Sequence, residues 1–97
     1  TTVVIRNFPM SQISYPLENI ILTLAVVMNL IISHEDLVKV SIMDKRVNHT
    51  GKVSLLVKFR SISLKMMFLS NKNQLKKNPS YGFPTKIFEV MDLVTYV

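Results

Sequence analysis

The clearest pattern in this chain is a strict alternation of side chains between Lys52 and Arg60. Apolar residues fall at every second position, namely Val53, Leu55, Val57 and Phe59. The positions between them hold Lys52, Ser54, Leu56, Lys58 and Arg60. Because successive side chains of a strand point to opposite faces, the segment predicts a strand with one buried face and one basic face.

Five further segments surround this strand. They are a β-branched strand at Val3–Ile5 that Pro9 ends, a helix from Pro16 to Leu30, a strand from Leu37 to Met43, a second helix capped by Ser61, and a strand from Lys86 to Val90. With right-handed crossovers, this order predicts an α+β, ferredoxin-like βαββαβ fold. Its four-stranded antiparallel sheet would carry both helices on one face and leave the other face open.

The first helix is apolar over most of its circumference. The residues predicted to face the sheet are Leu17, Ile21, Leu24, Met28 and Ile31. Leu22 and Val26 lie on a second apolar side, and Met66 and Leu69 extend the apolar character to helix two. Either these four residues form a protein-interaction surface, or the loop after helix two or the chain's tail covers them.

Residue spacing also predicts which side chains of the second strand and the second helix share a face. Strand two predicts Val38, Val40 and Ile42 on one face, with Lys39 on the other. Helix two predicts a buried face made by three residues, Leu64, Met67 and Phe68.

Length and composition narrow the function classes. A chain of 97 residues provides for one domain (1–97), which we interpret as a segment of a longer protein because it starts inside a strand without Met. The absence of cysteine excludes a disulfide scaffold and thiolate chemistry, and favours a nuclear or cytoplasmic location. Two histidines without a converging acidic cluster favour neither a metal nor catalysis. We expect no enzyme activity, no cofactor and, since the run Ile20–Ile32 is too short to span a bilayer, no membrane partner.

Charge is unevenly distributed along the chain. The formal net charge is +6, and ten basic residues lie between Lys45 and Lys86 without a single carboxylate among them. Strand three would place Lys52, Lys58 and Arg60 on the open sheet face, where Arg6 and Lys39 should join them. Such a surface suits a phosphate backbone. The alternative is a solvated basic surface that keeps an apolar domain soluble or contacts an acidic protein.

Two strands resemble the signatures of RNA-recognition motifs. Val3-Val4-Ile5-Arg6-Asn7-Phe8 is similar to the first-strand signature, and Lys52 to Phe59 is similar to the third. However, Val4, Ser54 and Leu56 stand where stacking aromatics are expected. The framework is therefore matched without its stacking platform, and Tyr81, in a loop with Lys76 and Lys77, is the candidate replacement. The alternative, which is the more common role of such residues, is that Tyr81 anchors that loop to the core.

Several segments together resemble the C-terminal domain of the baculovirus "few polyhedra" (FP) protein family and its insect relatives. The segments are Ile5-Arg6-Asn7-Phe8-Pro9, Glu18-Asn19-Ile20, Ser33 to Val38, Leu56 to Ser61 and Lys86-Ile87-Phe88. That family is related in pattern to the RNA-recognition-like domain of the first open-reading-frame proteins of LINE-type retrotransposons. The resemblance implies a transposon-derived domain that follows a coiled coil in a self-associating protein, with single-stranded nucleic acid as the relatives' ligand.

Two functions follow as hypotheses. The leading one is a non-catalytic module that binds RNA or single-stranded DNA weakly, largely through phosphates. Its predicted contacts are Arg6, Lys39, Lys52, Lys58, Arg60, Lys76, Lys77 and Tyr81. The alternative is a protein-interaction or homodimerisation module that has lost this binding and uses helix one or the open sheet face.

Overall fold

The computed structural model describes residues 1–43, 51–74 and 89–92. The strands are β1 (Thr2–Pro9), β2 (Leu37–Ile42), β3 (Lys52–Phe59) and β4 (Glu89–Asp92), and the helices are α1 (Glu18–Val27) and α2 (Ile62–Ser70). All strand pairs are antiparallel and the order across the sheet is β2-β3-β1-β4. This is the order of a ferredoxin-like α+β fold, and it confirms the predicted fold class.

Both helices pack on the same face of the sheet, where one continuous apolar core forms. The core joins strand residues such as Ile5 and Val57 to Leu24 of α1 and Phe68 of α2. The Phe59 and Phe68 rings lie 5.2 Å apart between centroids at a tilted angle, which is a favourable aromatic arrangement. We call the opposite side of the sheet the outer face; by strand register it carries Thr2, Val4, Arg6, Lys39, Ser41, Ser54, Leu56, Lys58 and Met91.

A one-residue bulge in β1 changes which positions face the core. Ile5 pairs with Leu55, but Phe8 pairs with Val53, so three steps along β1 match two along β3. Ile5 and Phe8 are therefore both fully buried although they are an odd number of residues apart. Asn7 lies inside the bulge with a φ of 61°, a left-handed conformation that asparagine tolerates better than most residues.

A second bulge in β2 corrects the predicted face assignment of that strand. Leu37 pairs with Phe59 and Lys39 with Lys58, which leaves Val38 as the extra residue. Leu37 and Val40 both reach the core, whereas Val38 remains 53% exposed. The prediction that Val38 shares a face with Val40 was wrong because the alternation is interrupted between them.

Helix α1 is shorter than the sequence pattern predicted. After it ends at Val27, the Leu30 N–H donates to the Ala25 carbonyl (2.8 Å) and the Asn29 N–H to the Val26 carbonyl (3.0 Å), with Asn29 at a φ of 61°. This is a Schellman motif, which satisfies the last carbonyls of a helix and stops it. Ile31 lies beyond it and is 96% exposed, so its predicted place on the buried stripe was wrong.

Helix α2 begins as predicted but buries a different set of residues. The Ser61 Oγ accepts a hydrogen bond from the Leu64 N–H (3.3 Å), which confirms Ser61 as the N-cap. Phe68 is fully buried and Leu64 packs against the core, but Met67 is 43% exposed. Lys65 is buried instead, and its Nζ lies 3.1 Å from Asp92 Oδ1 of β4.

The last strand extends further along the chain than predicted. The prediction ran from Lys86 to Val90, whereas β4 continues through Met91 and Asp92, which pair with Val4 and Val3. Residues 86–88 lie outside the described part of the chain. Within that part, neither helix is long and apolar enough to cross a membrane.

Candidate functional site

Two lysines face each other on the outer face of the sheet. Lys39 of β2 is the register partner of Lys58 of β3, and both side chains are exposed. Directly opposed residues of an antiparallel pair have Cβ atoms about 4.5–5.5 Å apart, and like charges at this spacing repel each other. Without the β2 bulge, Lys39 would lie opposite Val57 and point toward the core, so the bulge creates the lysine pair.

No carboxylate of the described residues compensates this repulsion. Neither Lys39 nor Lys58 forms an ion pair with them. The neighbouring outer-face positions at this end of the sheet hold Thr2, Ser41 and Leu56, which carry no charge. Two exposed cations without a counter-charge repel each other in the free protein. A bound anion is attracted by both of them and reduces that repulsion.

Arg60 lies next to this pair and is held by the backbone. Its side-chain Nε donates to the Glu35 carbonyl, and its backbone N–H donates to the Asp36 carbonyl (2.9 Å). Those carbonyls belong to a 3₁₀ turn at His34–Asp36, in which the Ser33 N–H donates to Asp36 Oδ2 (3.0 Å). The turn therefore positions Arg60 at the β2–β3 end of the sheet, and the polar segment at His34 has a structural role.

The other predicted cations lie toward the opposite end of the outer face. Lys52 is six residues from Lys58 along β3, which corresponds to roughly 20 Å. It is half-buried and faces Pro9, while Arg6 Nη1 lies 4.0 Å from the Met91 sulfur. The structure thus divides the predicted cations into two groups, with Lys39, Lys58 and Arg60 at one end of the outer face and Arg6 and Lys52 toward the other.

Three further residues of the predicted site, Lys76, Lys77 and Tyr81, lie outside the described residues.

The centre of the outer face is apolar and differs from the open platform that was predicted. Val4 lies between its register partners Leu56 and Met91 and is completely buried, although it does not belong to the core under the helices. Leu56 and Met91 are half-buried. Among the described residues, no aromatic side chain lies on this face, so that part of the chain offers no base a ring to stack on.

The predicted protein-interface residues separate into two classes. Val26 and Met66 are 54% and 52% exposed, as the prediction requires. Leu22 and Leu69 are half-buried and pack against the core, so they contribute less to an external surface than predicted.

An ion pair between a buried lysine and a partly exposed aspartate is the feature that the sequence analysis did not predict. Lys65 Nζ of α2 lies 3.1 Å from Asp92 Oδ1 of β4, and the lysine side chain is only 8% exposed. Lys72 Nζ, just after α2, also contacts the Val90 carbonyl at 3.4 Å. The signal available in the sequence was helical spacing, since Lys65 lies three residues before the buried Phe68.

The described residues were also compared with the side-chain clusters that bind metal ions. In these parts of the chain, no group of three or more histidine, aspartate or glutamate side chains is placed to hold a metal ion. Comparison with known proteins adds no assignment, because no protein-family model, no curated protein and no solved structure matches the chain.

Proposed function

We propose that this domain is a non-catalytic, RNA-recognition-like module that binds RNA or single-stranded DNA weakly and largely through phosphates. The observation that carries the proposal is the facing pair of Lys39 and Lys58, exposed on the outer face without a carboxylate partner among the described residues. Binding a polyanion relieves the repulsion between the two lysines and releases counterions from the phosphates.

The overall charge supports the same function. A net charge of +6 raises the local concentration of any polyanion and accelerates its association. The apolar centre of the outer face argues that affinity is low, because each stacked base would otherwise contribute roughly 1–3 kcal/mol. The bound strand would then be recognised mainly by its backbone, with little preference for sequence.

The proposal is tested by fluorescence anisotropy with a labelled 20-nucleotide RNA at two salt concentrations. For a single strand, log K falls by about 0.7 for each contacted phosphate per unit of log[salt], so two or three contacts predict a slope of roughly −1.4 to −2. The double change Lys58→Glu/Arg60→Glu should flatten this slope. No binding at low salt contradicts the proposal.

A matched control separates local contact from net charge. Lys58→Glu and Lys72→Glu remove the same charge, but Lys72 follows α2 and contacts the Val90 carbonyl, away from the Lys39–Lys58 pair. Lys58→Glu should weaken binding several-fold more than Lys72→Glu. Equal losses would mean that the RNA responds only to total charge and has no defined site.

A protein-interaction or dimerisation module is the second candidate, and the exposure of Val26 on α1 favours it. If α1 forms the interface, light scattering should report a dimer that Val26→Asp dissociates. Val38→Asp is the matched control, since Val38 is equally exposed but lies on β2. A monomer before and after the Val26 change would exclude dimerisation through α1.

A further inference from the structure

We infer that the Lys39–Lys58 pair recognises a bare phosphate chain, so that nucleobases add nothing to binding. The inference rests on the proposed function and deepens it: the ligand class is a linear polyphosphate or phosphodiester, and the contact lies at the β2–β3 end of the outer face. The usual binding surface of a sheet of this topology would be its centre, and here the centre is apolar.

The position of the pair supports this ligand class. β2 is one edge strand of the described sheet; Lys39 lies on it and Lys58 lies on its neighbour β3. Their ammonium groups are flexible point charges that can contact one phosphodiester or two successive ones. A chain held there lies along the rim of the outer face, and its bases do not need to cross Val4 or Leu56.

Among the described residues, no aromatic ring lies beside the pair to stack on a base. Val4 is completely buried, and Leu56 beside it is an aliphatic side chain without hydrogen-bonding groups. The Arg60 Nε is engaged by the Glu35 carbonyl, and Arg60 follows Lys58 by two residues in the sequence. What this end of the sheet presents is therefore positive charge from two neighbouring strands, and a phosphate chain is the chemistry that matches it.

The test compares two fluorescent probes of equal length on the whole 97-residue chain: 15-nucleotide oligothymidylate, and a 15-unit abasic oligodeoxyribonucleotide that carries the same phosphates. We expect their dissociation constants at low salt to agree within about twofold, because one stacked base alone would separate them by roughly fivefold or more. Inorganic polyphosphate should displace both probes.

Variants locate the contact. Lys39→Gln/Lys58→Gln should weaken both probes by the same factor, about fivefold or more, whereas Lys72→Gln should change neither by more than about twofold. Since the double change also removes a like-charge repulsion, its melting temperature at low salt should be no lower than that of the parent chain. A folded variant that still binds both probes fully would overturn the location.

The outcomes distinguish the inference from the function on which it rests. Binding of oligothymidylate with tenfold or weaker binding of the abasic probe would overturn the inference and leave the proposed nucleic-acid function standing. If neither probe binds at low salt, and RNA does not bind either, the proposed function itself is overturned. Equal binding that the lysine changes abolish supports both.

Discussion

Lys65 Nζ and Asp92 Oδ1 lie 3.1 Å apart between helix α2 and the edge strand β4. The lysine is nearly buried, whereas the carboxylate side chain is 30% exposed. The pair therefore joins a four-residue strand to a nine-residue helix. The lysine charge is shielded from solvent, whereas the carboxylate charge remains partly hydrated. This asymmetry decides which partner is costly to remove.

Removing the carboxylate should cost more than removing the lysine. Asp92→Asn leaves a buried ammonium without its counter-charge and should lower the free energy of unfolding by about 1–3 kcal/mol. Lys65→Met retains the apolar stem and leaves a carboxylate that solvent can hydrate, so the loss should stay under about 1 kcal/mol. Urea denaturation measures both, and the opposite order would show that Lys65 is not the buried partner.

Adjacent residues of α2 should respond very differently to truncation. Phe68 is fully buried against Phe59, and Phe68→Ala should cost about 3–5 kcal/mol. Met67→Ala should change stability by no more than about 0.5 kcal/mol because Met67 is 43% exposed and lies outside the core. Thermal unfolding followed by circular dichroism compares them. Similar losses would indicate that α2 is rotated about its axis relative to the arrangement described.

Because of the bulge in β2, the same substitution should have different effects on stability at two valines of that strand. Val40→Thr places a hydroxyl in the core and should cost about 1–3 kcal/mol. Val38→Thr makes the same chemical change on an exposed side chain and should lie within about 0.5 kcal/mol of the parent. Chemical denaturation of the two variants and the parent chain measures both losses of stability. Comparable losses would contradict the bulge between Leu37 and Lys39.

The bulge in β1 depends on a left-handed residue at Asn7. Replacing it by glycine should leave stability within about 0.5 kcal/mol, since glycine adopts a φ of 61° without strain. Asn7→Ala should cost about 1 kcal/mol, because an alanine in this conformation brings its Cβ close to the backbone carbonyl. The comparison is made from urea midpoints, and a more stable alanine variant would place Asn7 outside the left-handed region.

Local pattern was sufficient to predict most of the fold. The alternation from Lys52 to Phe59 is uninterrupted, so β3 was assigned correctly together with both of its faces. Ser61 is followed at once by an apolar helical segment, so the N-cap was also correct. These features depend on neighbours within a few residues, and a sequence displays such neighbours directly.

The candidate site was only partly predictable. The sequence named Lys39 and Lys58 as cations of one sheet face, but it did not show that they are direct partners. That pairing depends on the Val38 bulge, which a period-two pattern conceals because a bulge shifts every later residue to the other face. Val4 likewise pairs with Met91, a residue that lies beyond the predicted end of the last strand.

The amino-acid sequence by itself determined the order of strands and helices, the excess of positive charge and the absence of aromatic residues from the outward-facing positions of β3. These are properties of composition and short-range periodicity. Only the tertiary structure decided that Lys39 faces Lys58, that Lys65 is buried against Asp92 and that Val38 remains outside. Each of these depends on register between segments distant in the chain, where the whole core selects one alignment because it buries Leu37, Val40 and Phe8 together.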